Sequence, residues 1–346
     1  MYRFFLALLL WPCCAAYAQN SRKDTTNYNV HIKIPSAWIE KVRHFRYDRR
    51  DPQLLQEFKK LIDPKFWDTN DGRKNDSEEG CVFNPMFVNL DGAVTDELIC
   101  FLGWDDTHPY LTVFKKIKGG WYLLYLEGID TFYEVPAVLV AGGFSKNKVF
   151  YFSHVDDHGS GIYVSNYSFY KLINNRVYKC LSIVDDAHIY GWGLFLNQKV
   201  KTSFQFGGIR DDINVSYIYN FFPGAVREGD CPWCSNEDIP LVSGDNNIFY
   251  EWDDKRKKYK LSPLADNDPD NLTAQKIACF GDFGNDKLFV KAFRKEIDEK
   301  MKEGTPEQKK LLKQYLALVE KNGKALTEEL EEKSSTGQTK FYGPKH

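Results

Sequence analysis

Between residues 82 and 290 the chain reads as short apolar runs separated by polar turns. Leu98–Leu102, Tyr110–Ile117 and Trp121–Leu126 are such runs, and Lys118-Gly119-Gly120 between the last two is a hairpin signal. Val135–Val140, Val149–His154, Gly161–Leu172 and Val177–Val184 follow, with Asn174-Asn175 as a turn. Leu194–Leu196, Ser203–Phe206, Ile213–Phe222, Ile248–Trp252 and Tyr259–Leu261 complete the series. Strands at this density with short turns predict a mainly β fold, propeller-like or sandwich-like, built from repeated antiparallel sheets.

The flanks carry a different period. Val30–Pro35 alternates weakly, and Trp38–Phe45 is a short amphipathic element. Asp51-Pro52 opens a helix whose Leu54, Leu55, Phe58, Leu61 and Ile62 share one face. Residues 68–80 hold no apolar side chain and read as a surface loop. Leu288–Met301 returns to helical spacing. Thr305-Pro306-Glu307-Gln308 is a capping box for a further helix, expected to stop at Asn322-Gly323. The expected segments are 19–81 with one helix, 82–287 as the β-rich region, 288–333 as a helical segment, and 334–346 as a flexible tail.

The first 18 residues have a short basic start, an apolar stretch from Phe4 to Trp11, and Ala16-Tyr17-Ala18. That is the pattern of a cleaved export signal, so the protein is expected in a periplasmic or extracellular space. No later segment is apolar and long enough to predict a transmembrane helix. Formal net charge is −2, which leaves no basic footprint for nucleic acid. Of eight cysteines, Cys13 and Cys14 fall in the signal. Cys81, Cys100, Cys180, Cys231, Cys234 and Cys279 remain, enough for up to three disulfides in an oxidising compartment. Aromatic content of 15% suits a β-rich core, and exposed rings would suit glycan binding.

One loop sentence recurs. Asn89-Leu-Asp-Gly-Ala-Val-Thr-Asp-Glu-Leu98, His154–Gly161, Gly208–Val215 and Gly281–Leu288 each set Asp, Gly or Asn beside apolar residues. The first and fourth resemble the D-x-[DN]-x-D-G-x-x-D-L loops of FG-GAP or VCBS-type propeller repeats, as in integrin-like proteins. The resemblance implies a Ca²⁺ site, with Asn89, Asp91 and Asp96 or Glu97 at ligand positions. Ala93 and Val94 stand where that pattern has a third ligand and the sharp-turn glycine. The same residues also suit a plain turn around Asp91-Gly92, and a site short of a ligand binds weakly. No other cofactor is expected.

Cys231-Pro-Trp-Cys234 has redox spacing, but loop residues flank it on both sides, which favours a local disulfide over a thiol–disulfide centre. His154, Asp156, Asp157 and His158 gather two imidazoles and two carboxylates in five residues. A hairpin tip of solvated side chains is the plainer reading; a metal or an acid–base pair is the alternative. No G-x-S-x-G, H-E-x-x-H, P-loop or dinucleotide motif occurs. The expectation is an exported, non-catalytic binding protein for a glycan or protein partner. Its alternatives are a secreted glycan hydrolase with loop carboxylates and a thiol–disulfide protein.

Overall fold

The computed structural model describes residues 28–45, 52–62, 82–103, 108–131, 135–141, 147–159, 161–190, 196–207, 211–224, 239–261, 272–281 and 285–336. The chain opens with β1 (Asn29–Ile34), α1 (Ser36–Arg43) and α2 (Pro52–Leu61). Four strands follow: β2 (Val82–Val88), β3 (Glu97–Gly103), β4 (Tyr110–Ile117) and β5 (Gly120–Gly128). Next come β6 (Leu139–Ala141), β7 (Val149–Gly159), β8 (Ile162–Ile173), β9 (Arg176–Ile189), β10 (Leu196–Phe206), β11 (Asp212–Pro223), β12 (Val242–Asp253) and β13 (Lys258–Leu261). The chain ends in α3 (Leu272–Phe280), α4 (Asp286–Ala292), α5 (Arg294–Glu303) and α6 (Pro306–Thr336).

Two antiparallel sheets result. One has the order β1-β5-β4-β3-β2, the other runs from β13 to β6 with every strand beside its sequence neighbour. β6 and β13 do not pair, so no barrel closes, and the architecture is mainly β and sandwich-like. The hairpins are where turn chemistry puts them. Lys118 and Gly119 take positive φ between β4 and β5, and Asn174 and Asn175 do so between β8 and β9, the geometry of a two-residue hairpin turn.

Three apolar layers hold these parts together. Trp38, Ile39 and Val42 of α1 and Leu54, Leu55 and Phe58 of α2 cover one face of the five-stranded sheet, against Leu98, Phe114 and Leu123. Trp38 stacks on Phe58 at 5.2 Å, and its indole N–H donates to the Leu54 carbonyl at 3.0 Å, pinning the two helices together. The opposite face of that sheet packs Ile99, Phe101 and Leu111 on Phe150, Phe152 and Tyr170 of β7 and β8. Val149, Phe169, Val215, Tyr217 and Phe221 line the far side of the eight-stranded sheet, and Phe280, Phe289, Phe293, Ile297 and Tyr315 of α3–α6 seal it.

The eight-stranded sheet is sharply bent. In a flat sheet β8 and β12 would lie about 19 Å apart, four strand spacings. Instead the Lys171 ammonium of β8 lies 4.0 Å from the centre of the Trp252 ring of β12. Bulges between Ser165 and Asn166 and between Phe169 and Tyr170 interrupt the β8–β9 register, and bulges of this kind bend and twist a strand. The bend brings Phe204 of β10 onto Tyr167 and Phe169, at 4.9 and 5.0 Å between ring centres.

β1 joins both sheets. It pairs with β5, and the Asn29 side chain meets the Val177 backbone of β9 twice, donating at 2.9 Å and accepting at 2.8 Å. Its amide thus stands in for a peptide group on a neighbouring strand.

Several expectations change. The N-terminal segment holds two helices and a strand. His154–His158 is strand rather than hairpin tip, because β7 continues to Gly159 and the turn falls at Gly159–Gly161, both glycines with positive φ. α3 was not expected. The helix foreseen over Leu288–Met301 is split at Phe293 into α4 and α5. The backbone of α6 passes through Asn322-Gly323 without ending. One internal glycine costs about 1 kcal/mol relative to alanine, and the helix formers of Lys324–Glu332 outweigh it. Cys100 and Cys180 are free and buried, Cys279 is buried, and Cys81, Cys231 and Cys234 lie outside the described residues.

Candidate functional site

The Asn89–Glu97 loop connects β2 to β3. Asn89 Oδ1 accepts from the Gly92 amide at 2.7 Å, its Nδ2 donates to the Ala93 carbonyl, and Asp91 Oδ1 accepts from the Ala93 amide at 3.1 Å. Glu97 is fully buried and accepts from the Leu90 amide at 2.8 Å. Lys115 of β4 pairs with Asp91 and lies 3.7 Å from the other Glu97 oxygen. The carboxylates that the resemblance would give to Ca²⁺ thus share a lysine ammonium and backbone amides, while Asp96 is exposed. Burial raises the Glu97 carboxyl above its ordinary range; the Leu90 amide and Lys115 pull it back. The structure builds a lysine-centred turn.

His154, Asp156, Asp157 and His158 do not converge. Four positions of extended chain separate the two imidazoles by about 13 Å. His154 turns toward the sheet junction. Asp156 is exposed and accepts from Asn166 at 2.9 Å, and Asp157 and His158 are exposed. No group of three or more His, Cys, Asp or Glu among the described residues could hold a metal ion. In the fourth loop residues 282–284 lie outside the described residues, and Asn285 caps α4 through the Leu288 amide. Part of the third loop, and Cys231 and Cys234, lie outside the described residues.

Two buried ionic clusters escaped the sequence reading. At the sheet junction, Glu127 of β5 accepts from the Tyr125 and Tyr170 hydroxyls, each at 2.8 Å, with the Lys179 ammonium 3.7 Å away. His154 Nε2 lies 3.1 Å from Ser168 Oγ. A serine nucleophile would need a reachable hydroxyl and a carboxylate on the far imidazole nitrogen. Ser168 is fully buried and His154 Nδ1 lacks a hydrogen-bond partner, so no triad is formed. In the bend, Lys171 is buried between Asp211, with which it forms an ion pair, and the rings of Trp252 and Tyr259. Tyr259 also donates to Asp211 at 2.7 Å. Glu127, Ser168, Tyr170 and Lys171 of these clusters are buried. A lysine or glutamate within a strand pattern reads as surface, which is why both were missed.

The surface with room for a ligand is the open face of β8–β12. Strand alternation sends Ile213, Val215, Tyr217, Tyr219 and Phe221 inward and their neighbours to solvent. Cross-strand register sorts the outward side chains into rows. Tyr163–His188–Lys199–Asn220–Ser243 is one row and Asp186–Lys201–Ile218–Asp245, with the buried Ser165 at its β8 end, the next. Ser203–Ser216–Asn247 and Gln205–Asn214–Phe249 follow, and Asp212–Glu251 closes the lattice. Ile218 and Phe249 are more than half exposed and Tyr163 is 39% exposed. Lys201 bridges to Asp186 at 2.8 Å, and His188 lies 2.9 Å from the same carboxylate. The alternation was legible in the sequence. The rows were not, because they depend on register.

A cleft of about 430 Å³ lies where β1 meets α1 and the β4–β5 turn, lined by Lys33, Ser36, Lys118 and Tyr122 among others, with no carboxylate or histidine in its lining. Among the described residues no helix is long and apolar enough to cross a membrane. Compared with protein-family models, curated proteins and solved structures, the chain matches none.

Proposed function

We propose that the protein is an exported, non-catalytic binding protein that offers the open face of β8–β12 to a polyhydroxylated ligand, a glycan. The observation that carries this reading is the lattice of rows. Amides of Asn214, Asn220, Asn247 and Gln205 and hydroxyls of Ser203, Ser216 and Ser243 match sugar hydroxyls, which both donate and accept. Tyr163 near one end and Phe249 near the other offer apolar surface to sugar C–H faces, as binding sites for amphipathic ligands do. Strands about 4.8 Å apart and rows about 7 Å apart give a face about 10 Å wide over β10–β12 and about 20 Å long, which two rows extend onto β9 and β8 along the bend, long enough for several sugar units. The likeness of the Asn89–Glu97 loop to FG-GAP-type repeats points to the same class of function. The hydrolase alternative asks for two acids and a histidine in a concave site, and the cleft beside α1 has neither.

The test is a panel of immobilised oligosaccharides probed with the full chain and with Phe249→Ala and Asn247→Ala. Binding to one glycan class is expected, weakened about tenfold by each variant, or about 1.4 kcal/mol. Absence of glycan binding at millimolar ligand, or binding that both variants leave intact, overturns the reading.

A further inference from the structure

The contact between the two sheets is largely apolar, and a cluster of polar side chains is buried within it. There, five polar side chains from four strands meet: Glu127 of β5, His154 of β7, Ser168 and Tyr170 of β8 and Lys179 of β9, with Tyr125 of β5 alongside. The cluster sits beside Phe150, Phe152 and Leu172, the residues that hold the sheets face to face. Its charges balance in one protonation state only. Glu127 is anionic, with two tyrosine hydroxyls on one oxygen and Lys179 opposite the other. A neutral His154 shares one nitrogen with Ser168, and its other nitrogen is sealed from solvent without a hydrogen-bond partner.

We propose that this junction is an acid-sensitive latch between the sheets, closed while His154 is neutral and loosened when its ring takes a proton. The neutral ring carries one proton and the charged ring two, so whichever tautomer is the resting one, the protonated ring bears an N–H both at Nε2, facing Ser168, and at Nδ1. Protonation would place an N–H at Nδ1, where the structure forms no hydrogen bond, and add a second cation beside Lys179. Glu127, already matched by Lys179 and two hydroxyls, offers partial compensation; Asp156 on the same strand is exposed and hydrated. Burial, then the Lys179 charge, holds the imidazole below its ordinary value, with Asp156, Glu127 and the Val155 backbone pulling the other way. A folded-state value below the unfolded one means that this stability is present above about pH 6.5 and is lost as pH falls through the folded value.

The experiment is amide hydrogen exchange on the full chain at about pH 5 and about pH 7.5, corrected for intrinsic rates, with a parallel NMR titration of the His154 ring. In the wild type, β5, β7 and the facing parts of β8 and β9 are expected to open more often at the lower pH. The increase is about tenfold for each pH unit by which the folded value lies below the unfolded one. His154→Gln keeps a partner for Ser168 and cannot take the proton, so the acid-induced increase should vanish in it. The same increase in His154→Gln overturns the proposal, as does acid loosening confined to the helices or to β11–β13. Should His154→Gln fail to fold, the wild-type titration decides: a ring that titrates at or above about pH 6.5 overturns the latch.

Discussion

The buried ion pair in the bend of the eight-stranded sheet makes an asymmetric prediction. Lys171 is 1% exposed, whereas Asp211 is 27% exposed and keeps the Tyr259 hydroxyl at 2.7 Å. In Asp211→Asn, the buried ammonium loses its counter-charge and keeps only a neutral amide oxygen and two aromatic rings, at 4.0 and 5.0 Å. Removing one partner of a buried pair costs about 3–5 kcal/mol, and desolvated cation–π contacts of about 2 kcal/mol do not replace a carboxylate. In Lys171→Met the orphan is Asp211, which water can reach and Tyr259 still serves, so the cost is about 1–3 kcal/mol. The two variants should differ by about 2 kcal/mol. At about 2 °C per kcal/mol for a chain of this size, that is a gap of about 4 °C in melting temperature, with Asp211→Asn the lower. The double variant should recover much of the loss, because replacing both members of a buried pair is often close to neutral. Differential scanning calorimetry of the four proteins, with urea unfolding as a check on cooperativity, measures this. If Lys171→Met melts as low as Asp211→Asn or lower, the ammonium is not the stranded half and the reasoning fails.

Other predictions concern groups whose burial sets their chemistry. Because burial raises Glu97 above its ordinary 4.5, the stability it contributes is present at lower pH and is lost as pH rises through the folded value. Glu97→Gln should therefore gain on the wild type between about pH 4 and about pH 7, and a pH-independent difference in unfolding free energy would contradict this. Burial pushes the Cys180 thiol up to about 12 and raises Cys100 as well. At about pH 8 the Cys180 thiolate fraction is then about 10⁻⁴, so alkylation with peptide mapping should find Cys180 and Cys100 unmodified until the chain unfolds. Labelling of either in the native protein at the rate of a free thiol would show that its burial is wrong.

What the sequence disclosed was whatever is local. The capping box at Thr305–Gln308 closes as its residues imply, with the Thr305 amide donating to Gln308 at 3.0 Å and the Gln308 amide to Thr305 Oγ1 at 3.2 Å. The α2 stripe and the period-two burial of β11 follow in the same way. β12 was only half seen, because Val242–Asn247 is mostly Ser, Gly, Asp and Asn and owes its strand conformation to ten residues of pairing with β11. α3 was hidden because the apolar residues of Leu272–Phe280 are spread around the helix among Thr273, Gln275 and Lys276 and form no clear stripe. The candidate site divides likewise. The polar Asn89–Glu97 loop announced its turn, but Lys115, 18 residues beyond Glu97, changes what the carboxylates do. The Glu127–His154 and Lys171–Asp211 clusters are made by register and by the bend, and neither is written in any short stretch.

The amide of Asn29 binds a backbone position 148 residues later in the chain. The strand that carries it pairs with β5, but its tie to the second sheet has no partner until β9 exists. At about 5–20 residues per second, Val177 is synthesised on the order of ten seconds after Asn29. During that interval the first strand can complete the five-stranded sheet while one polar side chain at its start waits for the second. Order of synthesis and order of assembly therefore differ here. Asn29 thus takes its place in the first sheet well before its contact with the second can form, and a stalled chain ending before β9 would expose both this amide and the apolar face on which the second sheet settles.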